Sequence, residues 1–79
     1  MDDVRVVLYG RAGCHLCDDA RVVVARECAQ AGVAWREVDV DTDPALAQRY
    51  GELVPVVEVD GVQRGYWRIE AGRLRAALG

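Results

Sequence analysis

Two β-branched runs, "VRVVLYG" at 4–10 and "VAWREVDV" at 33–40, enclose a single helical pattern, and this restricts the fold more than any other feature. Strands joined by a helical crossover pair in parallel, and the crossover is right-handed in nearly all cases. The helical pattern runs from Cys14 to about Ala31. Ala20, Val24, Cys28 and Ala31 fall on one stripe, with Leu16 and Val23 beside it. Asp18 and Asp19 occupy the first turn, where the helix dipole favours carboxylates, and Gly32 ends the element.

The remaining chain adds four short elements. "DTDPALAQRYG" reads as a helix, capped by Thr42 or Asp43, with Pro44 at its first position and Gly51 as its stop. "VPVVEVDG" at 54–61 is a third strand that ends in an Asp-Gly hairpin signal. "VQRGYW" is the returning fourth strand, and "EAGRLRAALG" closes the chain as an amphipathic helix weakened by Gly72. The order is βαβαββα, with strands three and four antiparallel and no internal repeat, linker or low-complexity segment.

Composition excludes several classes of function. A chain of 79 residues supports one domain, 1–79, with a modest core. Net charge is −3, and the ten basic residues are all Arg, spread along the chain rather than clustered, which argues against a nucleic-acid surface. No apolar run approaches the roughly 20 residues of a membrane span. The acidic start "MDDVRVVLYG" passes directly into a strand pattern and does not read as a signal peptide, so a cytoplasmic location is expected. Three cysteines form no even-numbered disulfide framework.

Cys14 and Cys17 stand three apart at the start of the first helix, in "RAGCHLCDDA". As a staple, a disulfide closing so short a loop is worth about 2 kcal/mol at most, and it joins residues already held on one helical turn. As a zinc site, the pair lacks two ligands. Cys28 is 11 residues beyond Cys17, which is about 16 Å along a helix, so within one chain it cannot complete the tetrahedron. A metal shared between two chains stays open. A reversible redox pair fits the chemistry best. Thiolate is the nucleophile in disulfide exchange, and the unpaired N–H groups at a helix start stabilise negative charge. Arg11 adds a positive charge nearby, and Cys17, one turn inside, is placed to resolve a mixed disulfide formed at Cys14.

With those residues in view, "LYGRAGCHLC" resembles the active-site strand and loop of glutaredoxins in the thioredoxin-like superfamily. "LVPVVEVDG" resembles their cis-proline segment, and the spacing of "REVDVDTDP" matches as well. The similarity extends over nearly the whole chain and is closest to small bacterial glutaredoxin-like proteins. It implies a thioredoxin-like α/β fold: a four-stranded mixed sheet in the order 2-1-3-4 with three helices on its two faces. It implies that Cys14 is the nucleophile, Cys17 the resolving cysteine and Pro55 a cis-proline. The backbone of Val54 would pair with the bound thiol substrate, and Arg11 matches a basic residue near the glutathione site. The function implied is thiol–disulfide exchange on protein or small-molecule disulfides by a monomer. No cofactor is bound; glutathione serves as a co-substrate, or a thioredoxin-reductase-like system returns the electrons. A thioredoxin-fold binding module with little turnover and an iron–sulfur cluster carrier are the alternatives.

Three stretches depart from the glutaredoxin pattern. His15-Leu16 replaces the frequent Pro-Tyr between the cysteines. Asp18 and Asp19 place negative charge close to Cys14, against the effect of Arg11. After the hairpin, Tyr66-Trp67-Arg68 stands where a Gly-Gly turn and a small polar residue usually hold the glutathione carboxylate, which leaves glutathione binding open. Cys28 reads as a small core residue, Trp35 and Trp67 as packing or edge-covering residues, and Tyr9 as a neighbour of the pocket.

Overall fold

The computed structural model describes residues 4–79. The elements follow in the order β1 (Val4–Gly10), α1 (His15–Ala31), β2 (Ala34–Asp39), a 3-10 turn (Val40–Thr42), α2 (Pro44–Tyr50), β3 (Val56–Val59), β4 (Val62–Tyr66) and α3 (Ala71–Leu78). They form one four-stranded sheet, ordered β2-β1-β3-β4. The β1–β2 pair is parallel, from Val4 opposite Ala34 to Gly10 opposite Asp39. The β1–β3 and β3–β4 pairs are antiparallel. This is the thioredoxin-like α/β arrangement that the sequence predicts.

Because side chains alternate across a strand, β1 and β3 each feed two cores. Val6 and Leu8 from β1, with Val57 and Val59 from β3, point to one face, where they meet Ala20, Val24 and Cys28 of α1 and Leu74 and Leu78 of α3. Tyr9 and Val56 point to the other face and pack with Val40, Leu46 and Tyr50 around α2. The rings of Tyr9 and Tyr50 stack at 4.5 Å, and both hydroxyls donate to the carboxylate of Glu58, at 3.2 and 2.7 Å. Burial first, then this carboxylate, raises the Tyr50 phenol to about 12. Tyr9 thus belongs to the second core.

The ends of the elements follow local chemistry. Cys14 is the N-cap of α1, and Gly32 ends that helix in a left-handed conformation at φ 69°. There its N–H reaches the carbonyl of Ala29, while the N–H of Val33 reaches that of Cys28, a closure that suits glycine. Asp43, not Thr42, caps α2, its carboxylate accepting the N–H of Ala45 at 2.9 Å. Asp60 and Gly61 form a two-residue hairpin, both at positive φ (53° and 81°), the conformation that favours Asp-Gly. Asp60 also takes two hydrogen bonds from the guanidinium of Arg5, at 3.0 and 2.8 Å, tying the hairpin to β1.

Several expectations need correction. The second strand ends at Asp39, because Val40–Thr42 winds into a 3-10 turn before α2. The third begins at Val56, since Pro55 has no N–H to give a ladder. Ala31 is exposed and outside the buried stripe, which runs through Cys17, Ala20, Val24, Glu27 and Cys28.

Glu27 is the unexpected member of that stripe. Its side chain is only 3% exposed, and both carboxylate oxygens accept from Arg75 of α3, at 2.8 and 3.0 Å. Arg75 itself is 65% exposed. The bond to Arg75 holds the Glu27 carboxyl below its ordinary value of 4.5, against the opposing effect of burial. A folded-state value below the unfolded one gives stability above about pH 4.5 that is lost as the carboxylate takes up a proton. We therefore expect Arg75→Ala to lower the melting temperature at pH 7, because it leaves a buried carboxylate unpaired. The difference from the wild type should shrink as the pH falls below about 4.5. Calorimetry across that range checks it, and a constant difference would show that the ion pair is not its source.

Candidate active site

The site is assembled where β1 ends and α1 begins. Gly10 closes the strand, Arg11–Gly13 turn the chain, and Cys14 begins the helix with extended backbone (φ −102°, ψ 114°). A residue in that position can accept one of the orphan N–H groups of the first turn with its side chain. Here the acceptor is sulfur: the N–H of Cys17 donates to Sγ of Cys14 at 3.2 Å. Cys14 is half-buried, so its sulfur is held by the helix and still reachable from outside.

Cys17 lies behind it, fully buried, and both are free thiols. The two lie one turn apart, with Sγ of Cys14 only 3.2 Å from the backbone nitrogen of Cys17. Burial first, then the contact with Cys14, raises the Cys17 thiol to about 11, while the backbone of Arg11 and the charge of Arg21 pull it down. Cys17 is therefore kept protonated at neutral pH. Cys28, the third thiol, is buried in the core around α1, where burial raises its thiol too. Among the described residues, no group of three or more His, Cys, Asp or Glu side chains is arranged to hold a metal ion.

Arg11 does not point freely toward solvent. Its guanidinium donates to both oxygens of Asp41, at 3.0 and 3.1 Å, and to the carbonyl of Gly51 at 3.2 Å. It thereby ties the loop before Cys14 to the turn before α2 and to the end of α2. Asp18 is likewise occupied, by Arg21 at 2.9 Å, and Arg21 also holds Glu37 of β2 at 2.7 Å. Of the two carboxylates expected to bear on Cys14, one is thus neutralised by a neighbouring guanidinium. His15 is exposed.

The Val54–Pro55 bond is cis. Trp67 holds that segment. Its backbone N–H is shared between the carbonyls of Leu53 (3.2 Å) and Pro55 (2.8 Å), and its indole Nε1–H donates to the carbonyl of Glu52 at 3.0 Å. Among the described residues, the N–H and C=O of Val54 have no backbone partner. Trp67 pays for this with a φ of 62°, a region costly for a residue with a Cβ. By resemblance, Tyr66-Trp67-Arg68 stands where glutaredoxins have their Gly-Gly turn, and Trp67 reads from sequence as a packing or edge-covering side chain. Its positive φ and its three carbonyl partners are set by where β4 leaves the sheet. Only the frequent glycine at that place in glutaredoxins hinted that the backbone there is unusual.

Beside the cis-proline lies an open groove of about 800 Å³. Leu16, Val54, Val57, Ile69 and Leu74 are its apolar lining, together with the aromatic Tyr66 and Trp67.

Residues 5–79 match the family model for a glutaredoxin-like domain (DUF836). The chain belongs to that family. An uncharacterized protein of Mycobacterium tuberculosis is 33% identical over 83 residues, covering 99% of this chain and 86% of that relative. Among solved structures, structural-genomics target protein XcR50 from X. campestris is 40% identical with a TM-score of 0.77, over 92% of this chain and 93% of that one. A glutaredoxin from Brucella melitensis is 26% identical with a TM-score of 0.62, over 85% and 74%. The glutaredoxin-like chain described here therefore carries the fold of a redox or binding module, with its two cysteines close together at the start of α1.

The unequal surroundings of the two sulfurs predict unequal reactivity. In a protein carrying Cys14→Ser and Cys28→Ala, alkylation of Cys17 by iodoacetamide should show a midpoint well above the ordinary thiol value of about 8.5. A midpoint at or below that value would remove the case for a protected inner thiol. Replacing Trp67 by Phe, which keeps the ring and loses the indole donor, should lower stability by about 1 kcal/mol in urea unfolding. No loss would mean that the bond to Glu52 is replaced by water at no cost.

Proposed function

We propose that this protein is a thiol–disulfide oxidoreductase of glutaredoxin-like type. One observation carries the reading: the half-exposed sulfur of Cys14 caps α1 and accepts a helix N–H, with a second, protonated thiol buried directly behind it. A thiolate, the attacking species in disulfide exchange, can accept that N–H as well.

The cycle transfers two electrons. The thiolate of Cys14 attacks one sulfur of a substrate disulfide RS–SR′, forming a Cys14–SR bond and releasing R′S⁻, which takes up a proton. Cys17 then loses its proton and attacks Sγ of Cys14. A Cys14–Cys17 disulfide forms and RS⁻ leaves to be protonated. The substrate disulfide is reduced to two thiols, and the dithiol is oxidised. Two glutathione molecules, or a thioredoxin-reductase-like system, return the electrons in the same kind of exchange. A reducing compartment such as the cytoplasm suits this direction.

The surrounding residues take roles by position. The unpartnered N–H and C=O of Val54 offer an edge for the backbone of the substrate. Arg11, locked to Asp41, is a fixed tie at the mouth of the site rather than a mobile arm. Protein or small-molecule disulfides, glutathione mixed disulfides among them, are the substrate class that this arrangement accepts, and a monomer contains all of its parts.

The test is a redox titration in glutathione buffers followed by mass spectrometry. The wild type should convert between dithiol and intramolecular disulfide, losing two hydrogens. Cys17→Ser should instead trap one substrate or glutathione on Cys14, and Cys14→Ser should abolish turnover. Turnover that survives Cys14→Ser sinks the proposal. Partner binding that survives, with no turnover in the wild type either, identifies a binding module instead.

A further inference from the structure

The groove beside the cis-proline is not accounted for by the exchange chemistry, and its charge is one-sided. Arg64, Arg68 and Arg73 line it against the single carboxylate of Glu70. The whole chain carries a net charge of −3, so this basic rim runs against the average. Four of the ten arginines elsewhere, Arg5, Arg11, Arg21 and Arg75, are committed to carboxylates. Among the described residues, neither Arg68 nor Arg73 has an ion-pair partner. The edge is aromatic as well as basic: Tyr66 and Trp67 are 47% and 53% exposed and meet edge to face at 5.1 Å. Large exposed aromatic side chains beside unpaired guanidinium groups are the composition of a binding surface.

We propose that this groove receives the polypeptide flanking a target disulfide, and that it selects flanks carrying carboxylates next to an apolar side chain. The proposal rests on the oxidoreductase reading and names its substrate class. Leu16, which lies between the two cysteines, and Val54, on the cis-proline segment, are both among the residues that line the groove. A chain paired with Val54 would leave the dithiol along this groove. Its apolar residue meets Ile69, Leu74 and the Tyr66–Trp67 pair, and its carboxylates meet Arg68 and Arg73. Trp67 joins the two functions, since the residue whose indole edges the groove also fixes the carbonyls on either side of Val54. Complementary charge of this kind raises the rate of productive encounter and discriminates between partners more than it adds affinity.

The test uses three symmetrical disulfides: a short cysteine peptide flanked by Leu and Glu, the same peptide with Lys in place of Glu, and bis(2-hydroxyethyl) disulfide. Each is reduced by the full-length dithiol protein, with two thiols released per dithiol oxidised. Each peptide rate is corrected for its reactivity toward dithiothreitol and divided by the rate of the same protein on bis(2-hydroxyethyl) disulfide. The acidic peptide should be preferred by about five- to tenfold in second-order rate constant at low salt, and the preference should fall toward unity at high salt. Arg68→Glu combined with Arg73→Glu should reverse it. Equal corrected rates for the two peptides, or a preference that the double variant leaves in place, overturn the groove while the dithiol chemistry stands. Failure to reduce any of the three, the uncharged disulfide included, overturns the oxidoreductase reading instead. The salt dependence of the wild type decides the matter even if the double variant does not fold.

Discussion

Strand β1 is hydrogen-bonded on both edges, to β2 in parallel and to β3 in antiparallel register, and every functional group depends on that double pairing. A strand fixed on two sides cannot slip, because a shift of one residue would exchange its two faces and expel Val6 and Leu8 from one core and Tyr9 from the other. Its end is therefore fixed as well. The chain leaves the sheet at Gly10, turns through three residues, and starts a helix whose inner face must lie on Val6 and Leu8. Cys14 is left at the one position of that helix where a side chain can take up an unpaired N–H. The neighbouring strand β3 brings Pro55 to the same edge of the sheet.

Around this frame, arginine does the tying. Arg5 joins β1 to the hairpin, Arg11 joins the active-site loop to α2, Arg21 joins α1 to β2, and Arg75 joins α3 to α1. All four donate two hydrogen bonds to a single carboxylate, as the planar guanidinium allows and an ammonium does not. A chain with ten arginines and no lysine makes use of that geometry. The surface pairs are worth little each. Their effect is to orient: Arg11 cannot swing away from the site, and Asp18 does not face Cys14 alone. Arg68 and Arg73 lie outside this network, on the rim of the groove.

Much of this was legible before any coordinates. The first strand was marked by its β-branched run ending at Gly10, the second by alternation and the fourth by its place after the hairpin, and Asp60-Gly61 specified its turn because few other pairs accept two positive φ values. The dithiol was legible because its spacing and its place at a helix start are local properties. Glu27 was not, since a carboxylate on a helix stripe reads as solvent-facing until α3 supplies Arg75 from 48 residues away. The role of Arg11 was hidden for the same reason, its partners being 30 and 40 residues distant. Trp67 offered no signal of its own, for nothing local to "GYWR" distinguishes a covering indole from one that binds the carbonyl of Glu52 while its backbone N–H takes two more.

Sequence alone determined the order of elements, the parallel pairing of the first two strands and the presence of two thiols one turn apart, all consequences of periodicity and of short-range steric rules. The tertiary structure decided which thiol is reachable and which is protected, which charges are neutralised, and that the aromatic turn after β4 braces the cis-proline segment. Those outcomes depend on burial and on hydrogen-bond partners brought together from distant parts of the chain, and such distances exist only once the sheet has closed.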